Sequence, residues 1–355
     1  MFPFKPHRGA VVSYYSVDKF DYQAMMMTNI LPRSHNIDEA HDRLREWLIP
    51  TPVLQSEVLN ARANSRVLIK AESLQHTGSF KIRGALNRLL QLSHEERSLG
   101  IVASSSGNHA QGVAMAASWL GVSAVVVMPK DAPEIKQLNT RALGAKVILY
   151  DRYNEDREHI AAKVAQETGA TIIPAFDHHD IIAGQGTVGL ETARYAHSEG
   201  LNLDALYCPC GGGGLIAGCS LSVQSIFEKC RLFSVEPEVY DDTKRSLEVK
   251  ERQLVDGHPV TICDALMAPT PGALTFAINQ ETLTSGITVT DSQAAHAVAF
   301  AARHLKLVLE PSGAVALAAV LDGSARSFSC VAIILSGANI DHKKYLEILG
   351  DYPDP

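Results

Sequence analysis

Lys81 stands in the run Ser79-Phe80-Lys81-Ile82-Arg83-Gly84-Ala85, just after a Thr-Gly-Ser turn and at the opening of a helical pattern. An ammonium group there faces the positive end of the helix dipole, which favours its neutral, nucleophilic form. A neutral amine in an enclosed site is what a Schiff base with an aldehyde cofactor requires. Taken alone, a Ser-Phe-Lys tripeptide reads as a solvated surface lysine. Three further turns in the chain change that weighting.

Ser104-Ser105-Ser106-Gly107-Asn108-His109 falls between a strand and a helix. Small hydroxyls and free backbone N–H groups at a helix start make an anion site, suited to a carboxylate or phosphate. A serine-rich helix cap is the alternative. Cys210-Gly211-Gly212-Gly213-Gly214-Leu215 follows a strand pattern at Ala205 to Pro209. Four glycines remove every Cβ, so the backbone can wrap closely around a phosphate. The G-x-G-x-x-G spacing of dinucleotide sites is not clean here, and the Gly-Lys-Ser/Thr ending of a P-loop is missing. Leu335-Ser336-Gly337-Ala338-Asn339 follows the strand pattern Cys330 to Leu335. A serine there could hydrogen-bond a heteroaromatic nitrogen.

The elements that must hold these turns alternate in type. Strand patterns run over Arg66 to Lys70, Ile101 to Ser104, Ala124 to Met128, Lys146 to Tyr150 and Thr171 to Pro174. Others run over Ala205 to Pro209, Leu232 to Val235, Ile287 to Thr290 and Cys330 to Leu335. Helical patterns cover Phe80 to Leu92, Asn108 to Leu120 and Pro133 to Leu143, and an earlier helix opens at Asn36 in a capping box with Glu39. Apolar strands alternating with helices predict an α/β fold with parallel sheet covered on both faces. Ligands bind at the carboxyl ends of such strands, so all four turns could face one cleft.

Composition narrows the function class. A 355-residue chain suggests about two domains. Its net charge of -7 argues against nucleic acid or an anionic membrane as partner. No apolar run approaches the ~18 residues that span a bilayer. Met1 to Ala10 carries basic residues without a long apolar stretch behind them, so a cytoplasmic protein is expected. Six cysteines scattered through apolar segments read as reduced core thiols. Cys208-Pro-Cys210 is one residue short of the usual metal or redox pair, and core packing is the stronger reading.

Together the four turns, with Ala183-Gly184-Gln185-Gly186-Thr187, resemble the fold type II (β-family) pyridoxal-phosphate enzymes, and within them the threonine/serine dehydratase and serine racemase group. The blocks occur in the family's order, and the similarity runs from about Asn36 to the C-terminus. The resemblance implies a two-domain, tryptophan synthase β-like α/β fold. Residues 1–35 would be an N-terminal extension, 36–99 with 180–355 the large cofactor-binding domain, and 100–179 the small domain. It implies a homodimer acting on a small amino acid.

Residue roles follow from the same resemblance. Lys81 would carry the cofactor and act as base, and Phe80 would lie against its ring. Asn108 would bond the ring hydroxyl. Gly211, Gly212, Gly213 and Gly214 would cradle the phosphate, and Ser336 would meet the ring nitrogen. Ser105, Ser106, Asn108 and His109 would receive the substrate carboxylate. Ser106 matches the serine that serves racemases of the family as acid/base on the opposite face. Arg157 matches an arginine that helps the domains close; an exposed ion pair is the competing reading. Ala338 departs from the second glycine of many relatives.

Glu236-Pro237-Glu238-Val239-Tyr240-Asp241-Asp242 is a further constellation. By spacing alone it reads as a solvated acidic loop. The resemblance points instead to Mg²⁺ or Ca²⁺ held by Glu236, the Tyr240 carbonyl and Asp242, since hard cations want oxygen ligands. His178 and His179 lack a third ligand at helix spacing and read as lining the substrate side of the cleft, not as zinc ligands. The activity implied is that of an ammonia-lyase (dehydratase) acting on L-serine, L-threonine or 3-hydroxyaspartate. A serine or aspartate racemase is the alternative, and a non-catalytic cofactor-binding protein is a third reading.

Overall fold

The computed structural model describes residues 31–105, 107–152 and 154–352. Among them ten strands form. In chain order these are β1 (Val53–Leu54), β2 (Arg66–Ala71), β3 (Ile101–Ser104), β4 (Ala124–Pro129) and β5 (Lys146–Tyr150). The others are β6 (Thr171–Ile172), β7 (Ala205–Pro209), β8 (Arg231–Pro237), β9 (Ser285–Val289) and β10 (Cys330–Leu335). One sheet has the order β1-β2-β10-β7-β8-β9 and the other β5-β4-β3-β6. Every strand pairing is parallel except β1 with β2, where Val53 faces Lys70 at the sheet edge.

Side-chain alternation explains why the larger sheet is covered twice. Val67, Ile69, Val331, Ile333 and Leu335 point to one face and pack with Ala314, Val315 and Leu317 of the Pro311–Leu321 helix. Leu68, Leu206, Ala332 and Ile334 point to the other face. There they meet Val188 of the His179–Ser198 helix and Leu215, Ile216 and Cys219 of the Gly214–Gln224 helix. The smaller sheet buries Ala103, Val126 and Met128 against Ile82 and Leu86 of the Lys81–Leu90 helix and Val113 of the Asn108–Leu120 helix. The lysine helix therefore packs on the body of the smaller sheet while its preceding turn is tied to the larger one.

The start of the folded body differs from expectation. The first described helix spans Ser34–Leu44, and Asn36 sits inside its first turn. The Asn36 side chain accepts from the Arg33 N–H at 2.9 Å, so it caps backwards and no box with Glu39 forms. Leu31 is buried against Ile182, Ala217 and Ile278, which moves the last residues of the expected extension into the body. Met1 to Ile30 lie outside the described residues. No described helix is long and apolar enough to cross a membrane. All six cysteines are free and buried. Burial pushes the Cys208 and Cys210 thiols well up, which supports core packing for that pair.

Candidate active site

The turn that carries Lys81 is fastened to the turn that carries Ser336. The Phe80 N–H donates to the Ser336 carbonyl at 3.2 Å, the Ala338 N–H donates to the Gly78 carbonyl at 2.8 Å, and Ser79 bridges Gly337. Thr77 adopts a left-handed conformation, φ 61°, to make this bend. Lys81 is the first residue of its helix, as the sequence predicted. Its Nζ donates to the Ala175 carbonyl at 2.8 Å and lies 5.1 Å from the Phe80 ring centre. Burial pulls the amine down to about 8. Desolvation, more than the helix end, is the cause.

The serine-rich turn closes the opposite side. Ser105 donates its N–H to the Val127 carbonyl at 3.0 Å and accepts the Gly107 N–H on its hydroxyl at 3.1 Å. Asn108 opens the following helix and is doubly held. Its Nδ2 donates to Glu310, and its Oδ1 accepts from Asn339 at 2.9 Å. His109 is 2% exposed, and its Nε2 donates to the Ile173 carbonyl at 3.1 Å. Burial, with the Lys81 charge second, drops its pKa to about 3, so the ring is neutral. The Nδ1 then carries a lone pair, buried without a partner among the described residues. Ser106 lies outside the described residues.

Gly211 to Gly214 join β7 to the Gly214–Gln224 helix, with Gly213 at φ +90°, a conformation that favours glycine. A Cβ on Gly212 would meet the Phe176 ring at 2.4 Å. The Gly212 carbonyl is turned to Gly272 N (3.2 Å) and Thr275 Oγ1 (2.7 Å). None of the four glycine N–H groups donates to an acceptor among the described residues. Four unpaired donors at a helix start form a ready anion cradle.

Lys81, Phe80, Ser105, Asn108, His109, Arg157, Gly211 to Gly214 and Ser336 all line one cavity of about 360 Å³. Ser336 is 5% exposed, and its hydroxyl has no hydrogen-bond partner among the described residues. Arg157 opens the Arg157–Thr168 helix and pairs with its neighbour Glu158 at 3.1 Å, the exposed ion pair that the sequence also suggested, while lining the cavity. His178 and His179 do not line the cavity. They begin the His179–Ser198 helix, where His179 lies 3.2 Å from Asp180.

Sequence reasoning missed a buried charge cluster in the same cavity. Lys136 Nζ lies 2.7 Å from Asp264 Oδ2 and 3.1 Å from Glu310 Oε2. Lysine on the Glu134–Ala142 helix thus meets two carboxylates from distant parts of the chain. The signal was an inverted helix: Lys136 is 1% exposed while Ile135 and Leu138 of the same helix are exposed.

Glu236 and Asp242 are also brought together, away from this cavity. Both Glu236 oxygens accept backbone N–H groups, from Thr243 at 2.9 Å and Lys244 at 2.8 Å. Asp242 Oδ2 is buried and unpartnered among the described residues. Burial and the neighbouring Asp242 push the Glu236 carboxyl well up, and burial raises Asp242 to about 8. Tyr240 is buried beside them, its hydroxyl donating to the Pro259 carbonyl at 3.2 Å. No group of three His, Cys, Asp or Glu side chains converges as a metal site among the described residues.

The chain matches the family described as pyridoxal-phosphate dependent enzyme over residues 44–337. It is 40% identical to the L-threo-3-hydroxyaspartate ammonia-lyase of Saccharomyces cerevisiae, over 92% of this chain and 98% of the relative. It is 37% identical to the serine racemase of Schizosaccharomyces pombe, over 90% of this chain and 98% of that one. The crystal structure of a T.th. threonine deaminase superposes with a TM-score of 0.83 at 41% identity, covering 87% of this chain and 99% of that structure.

Proposed function

The chain belongs to the pyridoxal-phosphate-dependent enzymes of fold type II, and from that premise we propose that it is an ammonia-lyase for β-hydroxy amino acids. L-Serine, L-threonine and 3-hydroxyaspartate are the substrates in view. One observation carries the reading. A single cavity holds a desolvated amine at Lys81 and, in the same walls, the four unpaired N–H groups of Gly211 to Gly214.

The residues present fit the cofactor. Unpaired backbone donors suit its phosphate, the free Ser336 hydroxyl suits a ring nitrogen, and the Lys81 amine suits its aldehyde. With one Nδ2–H given to Glu310 and its Oδ1 engaged by Asn339, Asn108 offers its second Nδ2–H to a ring oxygen. Once bound, the cofactor supplies an electron sink for the bond broken at the substrate Cα.

The chain's own groups would do the rest. Ser105 and the helix start at Asn108 would hold the substrate carboxylate. We assign His109 to anchoring that helix start, since its neutral ring offers the carboxylate no proton. Lys81 Nζ would take the Cα proton. Lys81 would return that proton to the β-hydroxyl, which leaves as water as the Cβ–O bond breaks. The released unsaturated amine adds water and loses ammonia, which yields the 2-oxo acid. Ser336 is a neutral hydroxyl and cannot hold a ring nitrogen protonated as a carboxylate would. That favours prompt loss of the β-hydroxyl over transamination. Arg157 and the small domain, residues 100–179, would close the cavity and exclude water.

Racemisation needs an acid/base on the second face. Ser106, the residue proposed for it, lies outside the described residues, and no observation favours that reading. Glu236, the Tyr240 carbonyl and Asp242 are proposed to hold Mg²⁺ or Ca²⁺. The unpartnered Asp242 oxygen and two adjacent buried carboxyls support an oxygen-liganded hard cation there. A homodimer is proposed as well, with the exposed apolar residues Trp47, Ile49 and Leu74 as candidate contacts. Buried free thiols support a cytoplasmic location.

The test is a panel of hydroxy amino acids supplied to purified holoenzyme, with oxo acid and ammonia measured with and without chelator. Stoichiometric release of both from at least one L-hydroxy amino acid is expected. Release from none, in protein that holds cofactor, contradicts the proposal.

A further inference from the structure

Arg252 is a basic side chain in the cavity that the reading above leaves unused. Lys81, Lys136, Arg152, Arg157 and Arg252 all line the cavity. Lys136 is held by Asp264 and Glu310, Arg152 by Asp131 at 2.8 Å and Arg157 by Glu158 at 3.1 Å. Lys81 is reserved for the cofactor. Arg252 has no carboxylate partner among the described residues; its one hydrogen bond runs from Nε to the Pro271 carbonyl at 2.9 Å.

That bond is part of a splint. Val255 N–H donates to the Pro269 carbonyl at 2.8 Å, so residues 252–255 are lashed to the segment 269–271. The next residue, Gly272, donates to the Gly212 carbonyl at 3.2 Å. The guanidinium is thus fixed through Nε while its two terminal nitrogens stay uncommitted. Such a fork matches a carboxylate, and a pre-positioned one binds with little loss of entropy.

A simple β-hydroxy amino acid brings one carboxylate, which the Ser105–Asn108 turn can take. A substrate with a second carboxylate on Cβ needs a second cation, or its charge would enter the cavity unpaired. We propose that Arg252 is a specificity-determining residue that binds the β-carboxylate of an acidic hydroxy amino acid. The enzyme then prefers four-carbon dicarboxylic substrates such as 3-hydroxyaspartate over serine and threonine. This rests on the ammonia-lyase reading. The cofactor phosphate is the other anion in the cavity, so the test must separate the two.

Holoenzyme carrying Arg252→Gln or Arg252→Lys is compared with the unaltered holoenzyme in three measurements. These are ammonia release from L-threo-3-hydroxyaspartate and L-serine, calorimetric binding of L-aspartate and L-alanine, and cofactor affinity by absorbance titration. L-Aspartate has no β-hydroxyl to lose, so it reports binding. Arg252→Gln should lower the hydroxyaspartate-to-serine ratio of kcat/KM by about 30-fold, and L-aspartate affinity relative to L-alanine by a similar factor. Arg252→Lys should restore part of both. A parallel fall for both substrates with weakened cofactor binding would assign Arg252 to the phosphate and overturn the proposal; an unchanged ratio also overturns it. Should unaltered enzyme deaminate neither substrate, the ammonia-lyase reading falls, and the aspartate-to-alanine affinity ratio still decides the role of Arg252.

Discussion

Lys81 and Arg83 sit two residues apart in one helical turn, and their surroundings are opposite. Arg83 is 1% exposed and saturated with partners. It donates to Glu72 at 2.7 and 2.8 Å, to Glu191 at 2.6 and 2.9 Å, and to Thr187 and Thr51. Burial alone would lower its pKa, but those carboxylates push it well up. Lys81 has a single carbonyl contact and is pulled down to about 8. The same helix start therefore keeps one permanent charge and one that is easily given up. A saturated ion network fixes geometry, and an undersupplied amine does chemistry.

Replacing the two residues separates these roles. Lys81→Ala should reduce turnover by about 10³-fold or more while thermal unfolding shows a fold as stable as the original. A variant that unfolds instead would put Lys81 in the structural class and break the contrast. Arg83→Met should do the reverse. It leaves Glu72 and Glu191 with Lys70 as their remaining cation, a loss of about 3 kcal/mol in chemical denaturation. If activity is lost with unchanged stability, Arg83 works in the site and the division is wrong.

Gly212→Ala sharpens the comparison on the cofactor side. Its Cβ would press on Phe176, so the cradle must shift. Stability should drop by about 1–3 kcal/mol, and cofactor affinity by roughly tenfold in absorbance titration.

His109 gives the smallest effect, a dependence on pH. Burial holds its folded pKa near 3, below the ordinary 6.5. Between those values the unfolded chain binds the extra proton, so stability is full above about pH 6.5 and drains as pH falls towards 3. His109→Asn should flatten that acid limb by about one proton, read from denaturation midpoints between pH 4 and 7. An unchanged limb would mean that the ring takes up its proton in the fold as readily as in the unfolded chain.

Much of this contrast was visible in the sequence, for local reasons. The spans of β3, β5, β7 and β10 follow from short apolar runs bounded by Gly, Ser, Pro or Asp. The Lys81, Asn108, Gly211 to Gly214 and Ser336 turns follow from residue types at strand ends. The two-residue strand β1 was missed because Val53–Leu54 is too short to show a period. The helix at Ser34 starts early because Asn36 reaches back to Arg33, a bond that composition does not reveal. Lys136, Glu310 and Arg252 were missed for another reason. A charged residue in an amphipathic or irregular stretch reads as solvated, and Lys136 meets its partners 128 and 174 positions away. Only tertiary packing turns such residues inward.

The most direct test of the central claim is where the cofactor attaches. Apoprotein mixed with pyridoxal 5'-phosphate near pH 8 is reduced with borohydride, digested, and the labelled peptide identified by mass spectrometry. The account predicts one label per chain, on Lys81. Label on another lysine, or on none, would contradict it.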